Sequence, residues 1–137
     1  MQPDGALAYV AGDANAGKTP AVTAAAYTYN ETNEKITTNY ALDAATGILV
    51  MQGSLEGTTP VVSPNTGQLR TVGALGAGPF ESAAFDIADR SGAAFAALTA
   101  PGASSSQWVE VDLETDAARA LGTIGDGEAV RGAAIEP

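Results

Sequence analysis

Pro20-Ala-Val-Thr-Ala-Ala-Ala26 is a stretch that returns twice, imperfectly, further along the chain. The later copies are Pro79-Phe-Glu-Ser-Ala-Ala-Phe85 and Glu128-Ala-Val-Arg-Gly-Ala-Ala134, and a glycine-rich turn precedes each copy, at 12–17, 76–78 and 125–127. The copies begin 59 and then 49 residues apart. Self-similarity at about 40–50 residues is typical of four-stranded propeller blades. The repeat therefore predicts an all-β fold of propeller-type antiparallel blades.

Between the copies, apolar and polar residues alternate in short runs that Gly, Pro and Asn interrupt, which favours strands. The predicted strands cover 7–11, 22–29, 36–42, 48–52, 68–74, 82–87, 93–98, 108–113, 118–124 and 131–135. They form one β-repeat domain over 1–137, with repeat units at about 20–76 and 79–125 and a closing strand within 128–135. About two four-stranded blades plus flanking strands are predicted, fewer than the roughly four blades of a closed ring. We therefore expect an incomplete ring.

The chain is strongly acidic. Its 137 residues hold 16 Asp and Glu against six Lys and Arg, which gives a net charge of −10. Because clustered cations dominate nucleic-acid affinity, this balance argues against a nucleic-acid partner. No apolar run approaches the ~18 residues of a membrane span, so membrane insertion is not expected. The absence of His and Cys excludes Ser-His-Asp and Cys-His catalysis within this chain.

The segment Gly12–Thr19 matches the phosphate-loop pattern G-x-x-x-x-G-K-T. That loop works by starting a helix at its lysine and presenting successive backbone N–H groups to phosphate. Here Pro20 removes one of those donors, and the residues that follow have the pattern of a strand. We interpret the match as a glycine-rich connection between blades.

Two acidic loops offer oxygen ligands of the kind that calcium prefers. The candidate metal ligands are Asp13 with Asn15, and Asp126 with Glu128. Neither pair follows the twelve-residue EF-hand spacing, and Asp and Asn are also ordinary turn residues. Calcium is the one cofactor these loops suggest, and turn formation is the favoured interpretation.

Two further observations concern the charged residues. Glu81, Glu110 and Glu128 are nominal carboxylates for glycoside hydrolysis, but no spacing singles out a pair. Glu128 and Arg131 stand where the second repeat copy has Pro79 and Ser82, and we expect a structural ion pair between them. No catalytic residue is predicted, and the protein is expected not to be an enzyme.

Several motifs, in a fixed order, carry a resemblance over essentially the whole chain. They are Asp4-Gly-Ala-Leu-Ala-Tyr9, Gly12-Asp-Ala-Asn-Ala-Gly17, Ala24-Ala-Ala-Tyr-Thr28, Thr71-Val-Gly-Ala-Leu-Gly76 and Gly127-Glu-Ala-Val-Arg-Gly132. Together they resemble the C-terminal part of the bacterial domain-of-unknown-function family 4394. The resemblance implies propeller-like repeat proteins of roughly twice this length that are frequently exported. It implies no activity and no site residue.

The function expected from these observations is a non-enzymatic extracellular or cell-surface structural and interaction module. It is expected to assemble with itself or with an upstream half of the same domain, because unpaired sheets invite association. The alternative is a propeller that binds a carbohydrate or calcium through the loops at 12–20 and 125–128. An acidic hydrolase is a third class, and a cytosolic location stays open.

Overall fold

The computed structural model describes residues 4–135, and within them the fold is all-β, without an α-helix. This confirms the fold class predicted from the repeat. A short 3₁₀ turn at Pro64–Thr66 accompanies the strands. The strands are β1 (Ala8–Tyr9), β2 (Val22–Tyr27), β3 (Asn39–Asp43), β4 (Ile48–Gln52), β5 (Gln68–Ala74), β6 (Ser82–Ile87), β7 (Ala94–Thr99), β8 (Ser106–Val111) and β9 (Ala118–Ile124).

The strands form two sheets that do not close into a barrel. The first sheet has the order β1-β5-β4-β3-β2, and the second has the order β6-β7-β8-β9. From β2 and from β6 onward, each sheet is an antiparallel meander in chain order. The first two repeat copies lie at β2 and β6, which are the equivalent edge strands of the two sheets. This arrangement is consistent with two blades of an incomplete propeller.

The short strand β1 departs from the antiparallel pattern. It pairs in parallel with β5, with Ala8 opposite Gln68 and Tyr9 opposite Leu69. The backbone N–H of Ala8 donates to the Gly67 carbonyl at 3.0 Å. The strand expected over 7–11 is therefore present but shorter, and it pairs with the first two residues of β5 at the outer edge of the first sheet.

Two hairpin turns, β3–β4 and β8–β9, rely on aspartate side chains. After β3, the Asp43 side chain accepts the Ala45 N–H at 2.8 Å, and Gly47 adopts a φ of 67°, which is favourable for glycine. After β8, the Asp112 carboxylate accepts the N–H groups of Glu114 and Thr115, both at 2.9 Å. Carboxylates that accept backbone N–H groups one to three residues later fix such turns locally. These contacts explain why the turn positions could be read from sequence.

The main core lies between the two sheets, which approach each other through β2 and β6. Alternation along β3 places Tyr40 and Leu42 in this core, while Ala41 lies in a smaller cluster on the opposite face of the first sheet. Both faces of β3 are therefore buried. The buried residues of the main core are Ala26, Tyr40, Leu42, Leu49, Leu75, Phe80, Phe85, Ile87, Ala94, Ala96, Leu98, Val109 and Val111.

The third repeat copy differs from the prediction. Instead of the closing strand expected within 128–135, the described residues of this segment form no strand. The N–H of Val130 donates to the Ser106 hydroxyl at 2.9 Å, and the N–H of Ile135 donates to the Asp86 carboxylate at 2.7 Å. Because Ser106 and Asp86 belong to β8 and β6, the segment crosses the face of the second sheet. It does not lie along a sheet edge, so a backbone ladder cannot form.

Candidate functional site

The loop 12–20, which contains the phosphate-loop match, packs against β5 and is hydrogen-bonded to it. The Asp13 carboxylate accepts the Thr71 hydroxyl at 2.6 Å, the Thr71 N–H at 2.7 Å and the Asn15 N–H at 2.9 Å. The Asn15 amide donates to the Thr71 hydroxyl at 2.8 Å and accepts from the Lys18 ammonium at 2.7 Å. No helix follows the loop, because β2 begins at Val22. The geometry agrees with a connection between strands.

The same contacts set the charge state of Asp13. Burial is the largest single influence and would raise the pKa of the Asp13 carboxyl. Hydrogen bonds from the Thr71 side chain and from the Asn15 and Thr71 backbones, with the nearby Arg70 charge, outweigh it and lower that pKa. The carboxylate is thus an ionised acceptor engaged by three donors. Its oxygens serve loop attachment, and the Lys18 ammonium already provides a positive charge at the Asn15 amide oxygen.

The second pair of candidate ligands lies elsewhere. Asp126 and Glu128 are exposed in the turn that follows β9, where the N–H of Glu128 donates to the Gly125 carbonyl. Across residues 4–135, no three Asp or Glu side chains lie close enough together to hold a metal ion. The structure therefore brings Asp13 to Asn15 but does not gather the two pairs into one cluster.

The remaining charged candidates are dispersed. Glu110 on β8 pairs with Arg119 on β9, whose Nε lies 3.0 Å from the Glu110 carboxylate. In the part of the chain that the structure describes, the ion pair expected between Glu128 and Arg131 does not form. Arg131 instead lines a cavity together with Glu81. Among residues 4–135, the three nominal hydrolytic carboxylates do not form one cluster.

Asp43 is a buried residue that sequence reasoning assigned only to a turn. It is fully buried, and its carboxylate accepts the Tyr9 hydroxyl and the N–H groups of Ala21 and Ala45, the last two at 3.1 and 2.8 Å. Burial, followed by the hydrogen bond to Asp43, raises the pKa of Tyr9 to about 12. One carboxylate thus joins β1, the entry to β2 and the β3–β4 turn. The only sequence signal was an Asp four residues before a turn glycine.

A polar cavity of about 630 Å³, broadly open to solvent, lies where the three repeat copies meet. Thr23, Ser82 and Arg131, which are the fourth residues of the three copies, all contribute to its wall. Equivalent positions of the three repeat copies therefore lie around the same cavity. The other lining residues are Glu81, Ala83, Thr99, Ala103, Ala129 and Val130.

These features define the protein as an all-β repeat protein with two blade-like sheets and a polar cavity at the meeting point of its repeats. Residues 1–134 match the family model DUF4394, a domain of unknown function, and the chain belongs to that family. The match confirms the resemblance found in the sequence motifs. No curated protein and no solved structure matches the chain. Among residues 4–135, no helix has the length and apolar character to cross a membrane.

Proposed function

We propose that this protein is a non-enzymatic structural and interaction module that associates with a second copy of itself or with an upstream half of the same domain. The observation that carries the proposal is the third repeat copy. The first two copies, at β2 and β6, each begin a sheet, whereas the third lies over the second sheet without a strand partner. Because the third copy has no sheet of its own, strands from another chain could pair with it and complete a third sheet.

The backbone of the third copy supports this proposal. Within the described residues, 131–134 take part in no backbone hydrogen bond. On either side of this segment, the backbone N–H groups of Val130 and Ile135 bond to side chains. A segment with open N–H and C=O groups is a template for strand addition. The groups that a partner strand would use are therefore concentrated in this segment.

The outer sheet edges are less suited to pairing. In the first sheet, β1 pairs with the start of β5, and the Asp13 carboxylate holds the Thr71 N–H further along that strand. In the second sheet, β9 carries an irregularity that leaves Leu121 without an opposite residue, since Gly122 pairs with Trp108 and Ala120 pairs with Val109. Bulges and charged side chains are common protections of exposed edges, and Arg119 adds such a charge. The contrast favours the third copy as the place of association.

The non-enzymatic part of the proposal is supported by the dispersal of the carboxylates and by the absence of His and Cys from the sequence. The location outside the cell is supported by the family resemblance, in which export is frequent. Fractionation of cells that express the natural gene tests the location. A cytosolic protein would contradict it.

Light scattering over a range of protein concentrations tests the association. Ala134→Lys places a long charged side chain on the exposed third copy, and Ala120→Lys makes the same exchange on the exposed strand β9. We expect wild type and Ala120→Lys to associate and Ala134→Lys to shift toward monomer, because edge lysines block strand pairing. A stable, folded wild-type monomer at every concentration would refute self-association. Equal effects of the two lysines would place the contact elsewhere.

A further inference from the structure

The cavity at the meeting point of the repeats is lined by two residues that depart from the repeat pattern. At the third position of the copies stand Val22, Glu81 and Val130, so that the second copy replaces valine with a carboxylate. At the fourth position, Thr23 and Ser82 carry hydroxyls, whereas the third copy has Arg131. The two departures have opposite charges and both line the same cavity.

The fourth-position residues are hydrogen-bond donors without partners. Within residues 4–135, the hydroxyls of Thr23 and Ser82 and the guanidinium of Arg131 form no hydrogen bond. The other hydroxyl of the wall, that of Thr99, is already bonded to Ser106 at 2.8 Å. A guanidinium binds a carboxylate through two parallel N–H···O bonds, and hydroxyls add further donors. This wall suits a carboxylate group.

Glu81 restricts which carboxylates the cavity favours. Its side chain adds a negative charge beside Arg131, and the whole chain carries a net charge of −10. Both repel ligands with a net negative charge, whereas an ammonium group on the ligand is attracted to Glu81. The volume of about 630 Å³ falls within the range of sites for small organic ligands and exceeds the need of a single ion. A ligand with one carboxylate and one ammonium fits these constraints.

We propose that this cavity binds a short zwitterionic peptide, with Arg131, Thr23 and Ser82 holding its carboxylate and Glu81 holding its ammonium. This site is distinct from the glycine-rich loops and does not depend on the association through the third copy. Arg131 and Glu81 provide the charge recognition, and the hydroxyls orient the carboxylate.

The experiment is an NMR titration of the ¹⁵N-labelled protein with trialanine. The matched ligand is N-acetylated, C-amidated trialanine, which has the same side chains without terminal charges, and acetate is the second control. The variants are Arg131→Gln and Glu81→Gln. Arg119→Gln is the control variant because Arg119 lies on β9 and is paired with Glu110.

We expect trialanine to produce saturable shifts at the amides of 23, 81–83 and 129–131, and the capped peptide and acetate to produce much weaker ones. Arg131→Gln and Glu81→Gln should each weaken binding by about two- to fivefold, because both side chains are exposed and ion pairs made by exposed side chains contribute modestly. Arg119→Gln should bind as wild type does. Equal binding of the capped peptide, equal weakening by Arg119→Gln, or the absence of saturable shifts would each overturn the proposal. Spectra that retain native dispersion show that each variant is folded.

Discussion

Removal of the Asp43 carboxylate should be among the most damaging single changes in this protein. The carboxylate is fully buried and accepts three hydrogen bonds, from the Tyr9 hydroxyl and from the N–H groups of Ala21 and Ala45. Tyr9 and Ala21 are 34 and 22 residues away from Asp43 in sequence, whereas Ala45 lies in the adjoining turn. Asp43→Ala therefore leaves a polar hydroxyl buried without its acceptor and releases β1 and the β3–β4 turn together.

The magnitude follows from the opposing contributions. Each hydrogen bond to a charged group contributes about 1.5–3 kcal/mol, whereas burial of the carboxylate itself costs several kcal/mol. Removal of one member of such a buried network costs about 3–5 kcal/mol, a large share of a typical stability of about 5–15 kcal/mol. Asp43→Asn keeps one oxygen, which can still accept the Ala21 and Ala45 N–H groups, but it replaces the oxygen that accepts the Tyr9 hydroxyl with an NH₂ donor, so the charge and one acceptor are lost. We expect it to cost about 1–2 kcal/mol.

Urea unfolding measures both changes, with the emission of Trp108, the single tryptophan, as the probe. Asp126→Ala is the matched control because Asp126 is exposed, and it should change the free energy of unfolding by less than about 0.5 kcal/mol. If Asp43→Ala unfolds at the same urea concentration as Asp126→Ala, the network does not stabilise the fold. If Asp43→Ala does not fold, Asp43→Asn and Tyr9→Phe still test the network, since their effects should be non-additive by at least about 0.5 kcal/mol.

Three further predictions concern single interactions. Burial raises the pKa of Tyr9 from 10.0 to about 12. The contribution of the Tyr9 hydroxyl to stability is therefore complete below pH 10 and is lost as the pH rises through 12. Urea unfolding across this pH range should show a smaller loss of stability for Tyr9→Phe than for the wild type. Hydrogen bonding lowers the pKa of Asp13 below 3.8, so its contribution is present above that pH and is lost as the pH falls through the lowered value. Thr71→Val should accordingly cost about 1–3 kcal/mol at neutral pH and less in acid, and an equal cost at both pH values would contradict this assignment. The rings of Phe95 and Trp108 stack with centroids 5.7 Å apart. Phe95→Leu should therefore lower the free energy of unfolding by about 0.5–1.5 kcal/mol more than the loss of buried apolar area accounts for, and it should change the tryptophan emission. An unchanged emission spectrum would show that the stack is absent in solution.

Much of the strand layout was predictable because it depends on local patterns. The bounds of β4, β5, β6 and β9 were predicted residue for residue, since alternating side chains end there at glycine or polar turns. The segment 128–135 resembled β2 in sequence but does not form a strand. A strand needs a neighbour with a free edge, and periodicity cannot show whether one is present.

The polar contacts that attach distant segments were not predictable. The hydroxyl of Tyr9 bonds to a carboxylate 34 residues away, and Thr71 bonds to an aspartate 58 residues away. Asp and Thr residues of this kind have the same local appearance as ordinary turn residues. Only the fold shows that Asp43 is buried. The convergence of Arg131 and Ser82 on one cavity is a similar case, because the sequence shows their equivalence but not their proximity.

The two proposals share one segment, and this leads to a final prediction. Arg131 lies in the third copy, whose backbone is open to a partner strand, so pairing would restrict the movement of a residue that we assign to the cavity. A ligand that meets an already ordered site loses less conformational entropy on binding. Trialanine should therefore bind more tightly at protein concentrations where the chain is associated, and by linkage it should promote association to the same degree. Titrations above and below the association midpoint measure this coupling. Equal affinities in the two states would show that the segment is already ordered in the monomer, while leaving the tests of the cavity and of the association unaffected.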